Sequence, residues 1–176
     1  LIANPGCYPT SIILGLAPLI KSGALIEDQI IIDSKSGVSG VGRSPSLPYH
    51  FPEVNEGIEA YKLGNHRHIP EIEQELSLLG EKRVTVSFTP HLVPMSRGIL
   101  STIYVKQKSA METDGLRGLY FDFYRDEPFV RIMDGEALPN PRSVRGSNFC
   151  DIGVYHDKRT GWTTILSAID NLGKGA

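Results

Sequence analysis

Cysteine is scarce in this chain: Cys7 and Cys150 are the only two cysteines among 176 residues, and they form no C-x-x-C pair. Two thiols this far apart argue against the disulfide framework of small secreted domains and against a cysteine-rich zinc site. Such sparse use of cysteine is typical of a reducing compartment, so we predict a cytoplasmic protein.

The chain also lacks a strong charge imbalance and a long hydrophobic run. Its 18 basic and 20 acidic residues leave a net charge of −2, which favours neither a nucleic-acid surface nor a membrane-binding face. The longest apolar stretch, residues 12–20, contains Pro18 and is too short to span a bilayer. A signal peptide has a charged segment ahead of its apolar run, and no such segment precedes this one. We therefore expect no nucleic-acid and no membrane partner.

The organisation of the chain is that of one domain, because it shows no internal repeat, low-complexity tract or linker. A chain of this length can bury a sizeable core. It begins at Leu1 rather than at Met, inside a strand-like segment, and it stops at residue 176 just after another strand-like run. These ends predict a piece of a longer protein.

Hydrophobic spacing indicates which segments favour a helix and which favour a strand. Segments that favour a helix are residues 10–20, 53–61, 69–79 and 113–125. Segments that favour a strand are residues 30–34, 84–89, 98–107, 130–133, 148–155 and 162–169. Helices and strands are mixed with little regular alternation. This predicts the α+β class, with helices packed on one face of a mixed, mainly antiparallel sheet.

Cys7 lies in Asn-Pro-Gly-Cys-Tyr-Pro-Thr, residues 4–10, directly ahead of the first predicted helix. Pro9 suits the first position of a helix, and Gly6 permits a tight turn before it. The thiol would then face the positive end of the helix dipole, which predicts a pKa lowered from about 8.5 toward neutrality. A buried structural cysteine is the open alternative, and it is our prediction for Cys150.

A reactive cysteine needs a base, and His66-Arg67-His68 offers two imidazoles just before the predicted helix 69–79. At the positive end of a helix a histidine can donate or accept a proton, and its neighbours can bind anions. Arg67 adds a fixed charge. The alternative is a pair of solvent-exposed polar residues that cap a helix. A metal site would need a third ligand at a recognisable spacing, and the sequence offers none, so we expect no metal.

The glycine-rich segment 36–43 follows a predicted strand, as a dinucleotide-binding loop should. Its glycines follow the order G-x-x-G-x-G, and prolines rather than a helix come next, so we reject a Rossmann site here. A loop lining a substrate cleft, with Lys35 and Arg43 available for anions, and an ordinary connection both stay open. Arg97 precedes another predicted strand, where it can clamp a carboxylate or phosphate.

Six segments together resemble the N-acetyl-gamma-glutamyl-phosphate reductases, a family of arginine biosynthesis related to aspartate-semialdehyde dehydrogenases. They span nearly the whole chain in the family's order: residues 4–10, 33–40, 64–74, 88–99, 146–148 and 168–172. The segments that carry Cys7 and the histidine pair are the most specific of them.

The resemblance implies a two-domain enzyme of which this chain, residues 1–176, is the catalytic and dimerisation domain. Its fold would be like the C-terminal domain of glyceraldehyde-3-phosphate dehydrogenase-like enzymes. The N-terminal NADP-binding Rossmann domain would be absent, as would the family's closing helix after Ala176. Gly173 stands where the family usually has an aliphatic residue. These departures predict a folded homodimer or homotetramer without reductase turnover.

The resemblance also implies a mechanism. The Cys7 thiolate would attack a small-molecule acyl phosphate, N-acetyl-glutamyl 5-phosphate, and expel phosphate to leave a thioester. Hydride from NADPH would then reduce the thioester to N-acetyl-glutamate 5-semialdehyde. His66 is assigned the general acid/base role, and His68 is the alternative that the sequence leaves open.

The same resemblance implies roles for five further residues. Glu71 would orient an imidazole or meet the substrate amide. Arg97, with Lys35 or Arg43, would hold the phosphate or the α-carboxylate, and Asn171 would reach the nicotinamide amide.

Two other classes of function stay open on the sequence. One is a cofactor-free cysteine hydrolase or acyltransferase that uses the Cys–His pair alone. The other is a non-catalytic dimerisation module that merely retains these residues. Whether the substrate is free or attached to a carrier protein is also open.

Overall fold

The computed structural model of the chain describes residues 4–42 and 47–175. The strand-like segment expected at residues 1–3 lies outside this range, as do Arg43 and Ala176. The helices are α1 (Cys7–Lys21), α2 (Phe51–Val54), α3 (Ile69–Gly80), α4 (Thr113–Phe123) and α5 (Pro141–Val144). The strands are β1 (Leu25–Ser36), β2 (Glu59–Ala60), β3 (Ser87–Leu92), β4 (Ile99–Gln107), β5 (Val130–Ile132), β6 (Cys150–Asp157) and β7 (Trp162–Ile169).

All seven strands join one mixed sheet in the order β2-β3-β1-β4-β7-β6-β5. The pairs β1–β3 and β5–β6 are parallel, and the other four pairs are antiparallel. The predicted α+β class with a mainly antiparallel mixed sheet is therefore confirmed.

The core lies between α1 and the centre of the sheet. Ile12 and Leu16 of α1 are fully buried against a layer that contains Ile32, Ile103 and Ile165 of β1, β4 and β7. These strand residues alternate with exposed ones, because successive side chains of a strand point to opposite faces. The helix that starts at Cys7 is thus held on one face of the sheet, as predicted.

Two features hold α1 close to that face of the sheet: a glycine in the helix and a row of buried serine hydroxyls. A Cβ atom on Gly15 would lie 3.1 Å from Cδ1 of Ile103, so glycine permits a close approach of helix and strand. A row of buried hydroxyls then joins helix to sheet: Ser11 Oγ and Ser101 Oγ are 2.5 Å apart, and Ser101 Oγ and Ser34 Oγ are 2.7 Å apart. Because buried polar groups must be hydrogen-bonded, this row permits only one position of the helix along the sheet.

Two sequence predictions are wrong in detail. The helix expected at 53–61 ends at Val54, and Glu59–Ala60 pairs with β3 instead. Glu56, which intervenes, has a left-handed backbone (φ 61°) that cannot continue a helix. The strand expected at 84–89 starts only at Ser87, because the N–H groups of Val84 and Val86 donate to side chains of α3 rather than to a neighbouring strand.

No helix in the described part of the chain is long and apolar enough to cross a membrane.

Candidate active site

Cys7 is the first residue of α1 and is partly buried. Gly6 is the N-cap residue, and its carbonyl accepts hydrogen bonds from both N and Oγ1 of Thr10 at 2.9 Å. The sulfur therefore sits at the end of the helix where unpaired backbone N–H groups point, as the sequence predicts.

The turn that carries Cys7 is packed directly against His68. A Cβ atom on Gly6 would lie 2.6 Å from Nε2 of His68, which is closer than real Cβ contacts. Only glycine lets the imidazole approach this turn. The fold thus brings together two residues that are 61 positions apart in the chain (68 − 7).

Glu71, in the first turn of α3, fastens the same turn from the other side. Its Oε1 accepts a hydrogen bond of 2.9 Å from the backbone N of Gly6. The carboxylate therefore positions the nucleophile's turn. The sequence expectation was a contact with an imidazole or with the substrate amide. The hydrogen bond that the structure shows is the one to Gly6, and a contact with the substrate amide stays a prediction.

His66 is buried in an aromatic cluster. Its ring centroid lies 5.5 Å from Tyr8, 5.6 Å from Tyr61 and 5.5 Å from Phe88, in edge-to-face geometry. Its Nδ1 accepts the backbone N–H of His68 at 3.2 Å. One nitrogen is therefore occupied by the local backbone, and the ring is enclosed by its neighbours.

His68 is buried as well, but its Nδ1 has no hydrogen-bond partner among the described residues, and its Nε2 faces the Gly6 turn. Burial lowers the pKa of His68 to about 4, with further lowering by Arg67 and Lys62. Burial also lowers the pKa of His66 to about 4, assisted by the charges of His68, Lys62 and Arg67. Both imidazoles are neutral at pH 7 and can accept a proton.

The pKa of Cys7 differs from the sequence expectation. Burial raises the pKa of its thiol above the ordinary value, whereas the backbone amides of Tyr8 and Cys7 and the charge of Arg67 lower it. The helix end acts in the predicted direction but is outweighed, because desolvation penalises the charged thiolate. The prediction of a lowered pKa is therefore wrong, and the resting thiol is protonated at neutral pH.

Two cavities adjoin Cys7. The first, about 180 Å³, is also lined by Tyr49, Tyr61, Lys62 and His66. The second, about 290 Å³, is also lined by Asn4, Ser39, Asn171 and Gly175. Gly40, Arg67 and His68 line both. No Asp or Glu is among the described residues that line either cavity, so both favour a negatively charged ligand.

The glycine-rich segment forms one wall of these cavities as a 3-10 helix, Val38–Val41. The N–H groups of Gly37, Val38 and Ser39 donate to the carbonyl groups of residues 98, 95 and 96. These amides are therefore used to dock the loop and do not form an anion cradle. Of the two alternatives, the cleft-lining loop agrees with the position of Gly40.

Lys35 and Arg97 are not brought to the cavities. Lys35 alternates with buried Ser34 and Ser36, so it lies on the opposite face of the sheet, where Nζ is 2.6 Å from Oδ1 of Asp33. Arg97 forms a two-point ion pair with the fully buried Asp170, at 2.8 and 2.6 Å. Arg43, the third predicted anion-binding residue, lies outside the described residues.

Asn171 lines the second cavity, but its carboxamide is already engaged. Oδ1 accepts the N–H of Gly98 at 2.6 Å, and Nδ2 donates to Oγ of Ser39 at 3.1 Å. The side chain is 3% exposed. The side chain therefore tethers three segments around Cys7, and its contact with a nicotinamide amide stays a prediction.

Tyr61 and Lys62 line the first cavity, but the sequence did not predict them as site residues, because Tyr61 lies at the end of a predicted helix. The structure instead puts a turn here, in which Lys62 has a left-handed backbone (φ 49°) and the hydroxyl of Tyr61 donates to that of Tyr8 at 3.0 Å. The Gly64-Asn65 pair just after Lys62 was the available sign of a turn.

Comparisons with known proteins identify the family of the chain. Residues 7–171 match the family model described as "Semialdehyde dehydrogenase, dimerisation domain". The chain belongs to this family.

Among the described residues, no group of three or more His, Cys, Asp or Glu side chains is placed to hold a metal ion.

Three curated relatives that match the whole chain are N-acetyl-gamma-glutamyl-phosphate reductases. The chain is 60% identical over 177 residues to that of Geotalea daltonii, 58% over 177 residues to that of Geobacter sulfurreducens and 56% over 176 residues to that of Desulforudis audaxviator. Each match covers 100% of the chain and 51% of the relative. The chain therefore spans about half the length of these relatives, and the resemblance seen in the sequence is confirmed.

Solved structures agree on the fold. Aspartate semialdehyde dehydrogenase II from Vibrio cholerae superposes with a TM-score of 0.76 over 99% of this chain and 58% of that chain, at 16% identity. A probable aspartate-semialdehyde dehydrogenase from Pseudomonas aeruginosa gives 0.77 over 100% and 59%, also at 16% identity.

Proposed function

We propose that this chain is the catalytic and dimerisation domain of an NADP-dependent N-acetyl-gamma-glutamyl-phosphate reductase of arginine biosynthesis. The longer protein would convert N-acetyl-glutamyl 5-phosphate to N-acetyl-glutamate 5-semialdehyde and phosphate. The identity to reductases along the whole chain supports the substrate. The observation that carries the chemistry is the contact of His68 with the Gly6 turn beside Cys7, at the wall of two cavities without acidic residues.

In the first step of this proposal, Cys7 attacks the acyl phosphate. Because its thiol is protonated at rest, a neutral imidazole must accept the proton as the S–C bond forms. The C–O bond to the phosphoryl group breaks, and its electron pair leaves with the phosphate. The backbone N–H groups at the start of α1 stabilise the negative charge on the way.

His68 is our choice for the proton acceptor, which reverses the order that the sequence suggested. Its Nε2 lies against the turn of Cys7, whereas Nδ1 of His66 is occupied by the N–H of His68. His66 then shapes the aromatic wall that excludes water from the first cavity. After reduction of the thioester, the tetrahedral oxyanion would collapse: its C=O bond forms, the C–S bond breaks, and protonated His68 returns its proton to the departing sulfur of Cys7.

The cofactor is assigned mainly to chain outside these 176 residues. NADPH, when bound to the longer protein, supplies the hydride that reduces the Cys7 thioester. Within this chain the glycine-rich segment docks against residues 95–98 and Asn171 is engaged with Gly98 and Ser39. These residues fit a wall of the substrate cavity. We therefore expect the chain on its own to stop at the thioester.

A homodimer through the uncovered face of the sheet is part of the proposal, with a homotetramer as the larger alternative. Ile31, Tyr104, Thr164 and Tyr155 form one cross-strand row on the face opposite α1. Ile31, Tyr104 and Tyr155 are 43%, 39% and 58% exposed. An apolar row of this kind is typical of a protein interface. A cytoplasmic location fits the two free cysteines.

The proposal is tested by acylation without nucleotide. The chain is incubated with N-acetyl-glutamyl 5-phosphate generated in situ, and its intact mass is followed. We expect one acyl group on Cys7, labile to hydroxylamine, absent from Cys7→Ser and retained in Cys150→Ala. Absence of acylation contradicts the reductase. Repeated turnover without nucleotide would favour the cysteine hydrolase, and an unreactive Cys7 would favour the dimerisation module.

A further inference from the structure

Arg67 differs from Lys35 and Arg97 in its position and in its ion pairing. It lines both cavities beside Cys7. Its guanidinium takes part in no ion pair within residues 4–42 and 47–175. Lys35 and Arg97, by contrast, are held by Asp33 and Asp170. Arg67 is thus an exposed cation whose side chain forms no hydrogen bond or ion pair with the residues that the structure describes.

The surroundings of Arg67 favour an anion. The carboxylate of Glu71 is engaged with the backbone N–H of Gly6, and it lines an adjacent groove that shares Asn4 and Pro5 with the second cavity. Lys62 adds a second cation, because it lines the first cavity together with Tyr49. The N–H groups of Gly37, Val38 and Ser39 are engaged in docking the loop, so an anion beside Cys7 is left with the N–H groups at the start of α1 and the side-chain cations.

We infer that Arg67 binds the phosphoryl group of the acyl phosphate and holds it as it departs, with Lys62 as a second contact. This inference rests on the proposed function, in which Cys7 is acylated by an acyl phosphate. The S–C bond forms, the C–O bond to the phosphoryl group breaks, and the electron pair goes to the phosphate oxygen. Arg67 keeps its protons throughout. Its planar fork matches two phosphate oxygens at once, which a lysine cannot do.

The first test needs no substrate. Cys7 is alkylated with anionic iodoacetate and with neutral iodoacetamide, and the ratio of the two rates is compared between variants. A cation beside the sulfur favours iodoacetate, so Arg67→Gln should lower the ratio several-fold. Arg83→Gln removes the same charge from an exposed position that lines neither cavity, and it should leave the ratio unchanged. An unchanged ratio in Arg67→Gln would overturn the inference.

The second test separates phosphate recognition from an effect on the thiol. Acetyl phosphate and p-nitrophenyl acetate deliver the same acetyl group, and only the first carries a phosphoryl group. Arg67→Gln should slow acylation by acetyl phosphate about 10- to 100-fold, the effect of one or two charge-assisted hydrogen bonds. Acylation by p-nitrophenyl acetate should change less than about threefold. Arg67→Lys should recover part of the loss.

The outcomes distinguish the two proposals. If the unmodified chain is not acylated by acetyl phosphate or by N-acetyl-glutamyl 5-phosphate, both the proposed function and the role of Arg67 fail. If it is acylated and Arg67→Gln reacts equally fast, the function stands and the inference is overturned. Equal slowing with both acyl donors also overturns it, because Arg67 would then act on the thiol alone. Circular dichroism melting of each variant checks that it is folded.

Discussion

Gly6 and His68 occupy what would otherwise be the same space: a Cβ atom on Gly6 would stand 2.6 Å from Nε2 of the imidazole. The backbone of Gly6 is ordinary extended chain (φ −63°, ψ 158°), so glycine is required here by the neighbour and not by its own dihedral angles. The absence of one methyl group thus lets the imidazole of His68 approach the turn of Cys7.

Gly6→Ala is the direct test of that contact. The added methyl group must displace His68, which should cost about 1–3 kcal/mol of stability as an overpacking effect. We expect acylation of Cys7 to slow by up to about 100-fold, because small displacements of a catalytic group are costly. Urea unfolding and intact mass measure the two effects.

Gly118→Ala is the matched control for Gly6→Ala. A Cβ atom there meets nothing within 4 Å, and the residue lies inside α4. It should stabilise the chain by about 0.5–1 kcal/mol and leave acylation unchanged. Equal acylation rates in the two glycine variants would contradict a positioning role for the Gly6 contact.

The reactivity of Cys7 should keep rising into alkaline solution. Burial raises the pKa of its thiol, so the midpoint of the alkylation rate against pH should lie above the value of about 8.5 for a free cysteine. Iodoacetamide alkylation of the Cys150→Ala variant from pH 6 to about 11 measures this. A midpoint near neutrality would show that the helix end outweighs burial after all.

Stability should fall in mild acid because of the two histidines. Their pKa values are lowered from 6.5 to about 4 in the folded chain, so the unfolded chain binds more protons between these values. The free energy of unfolding should therefore decrease as the pH falls from about 6.5 toward about 4. Urea unfolding at pH 7 and pH 5 gives the difference.

Two variants show whether the histidine pair causes that decrease. His68→Gln should make stability less dependent on pH in this window, because one titrating group is removed. His50→Gln removes an exposed histidine and should leave the slope as it was. A slope that is the same in the unmodified chain and in His68→Gln would contradict the assignment.

The buried hydroxyl row predicts a non-additive result. Ser101→Ala removes the middle hydroxyl and leaves those of Ser11 and Ser34 without a partner, which should cost about 1–3 kcal/mol. The triple replacement by alanine removes every polar group and should cost less than the single change. Denaturant midpoints compare them, and a triple variant less stable than Ser101→Ala would exclude this account.

Tyr104→Asp should separate the proposed dimer. The residue is in the middle of the cross-strand row, and a carboxylate there is costly to bury between two copies. Sedimentation equilibrium should show a loss of the dimer at micromolar concentration. Phe121→Asp is the control, because Phe121 is 62% exposed on α4, on the other side of the sheet. A dimer that survives Tyr104→Asp would exclude this face.

Much of the fold could be predicted from short-range pattern. The segments 69–79, 98–107 and 162–169 match α3, β4 and β7 within a residue or so, because their hydrophobic period or alternation agrees with their burial. The helix predicted at 53–61 was wrong, because Glu59–Ala60 pairs with β3, 31 to 33 residues later (His91 with Ala60, Leu92 with Glu59). Long-range pairing of this kind has no local sign in the sequence.

By itself the sequence determined the type of most helices and strands, the family and the candidate site residues Cys7, His66 and His68, since a Pro-Gly-Cys turn ahead of a helix and a His-Arg-His segment are local features of the chain. Tertiary structure decided how those groups behave. It directed Arg97 to Asp170, enclosed His66, left the base and the cation beside Cys7, and raised the pKa of the thiol. Partners, burial and desolvation depend on residues far apart in the chain, and so they exist only once the chain is folded.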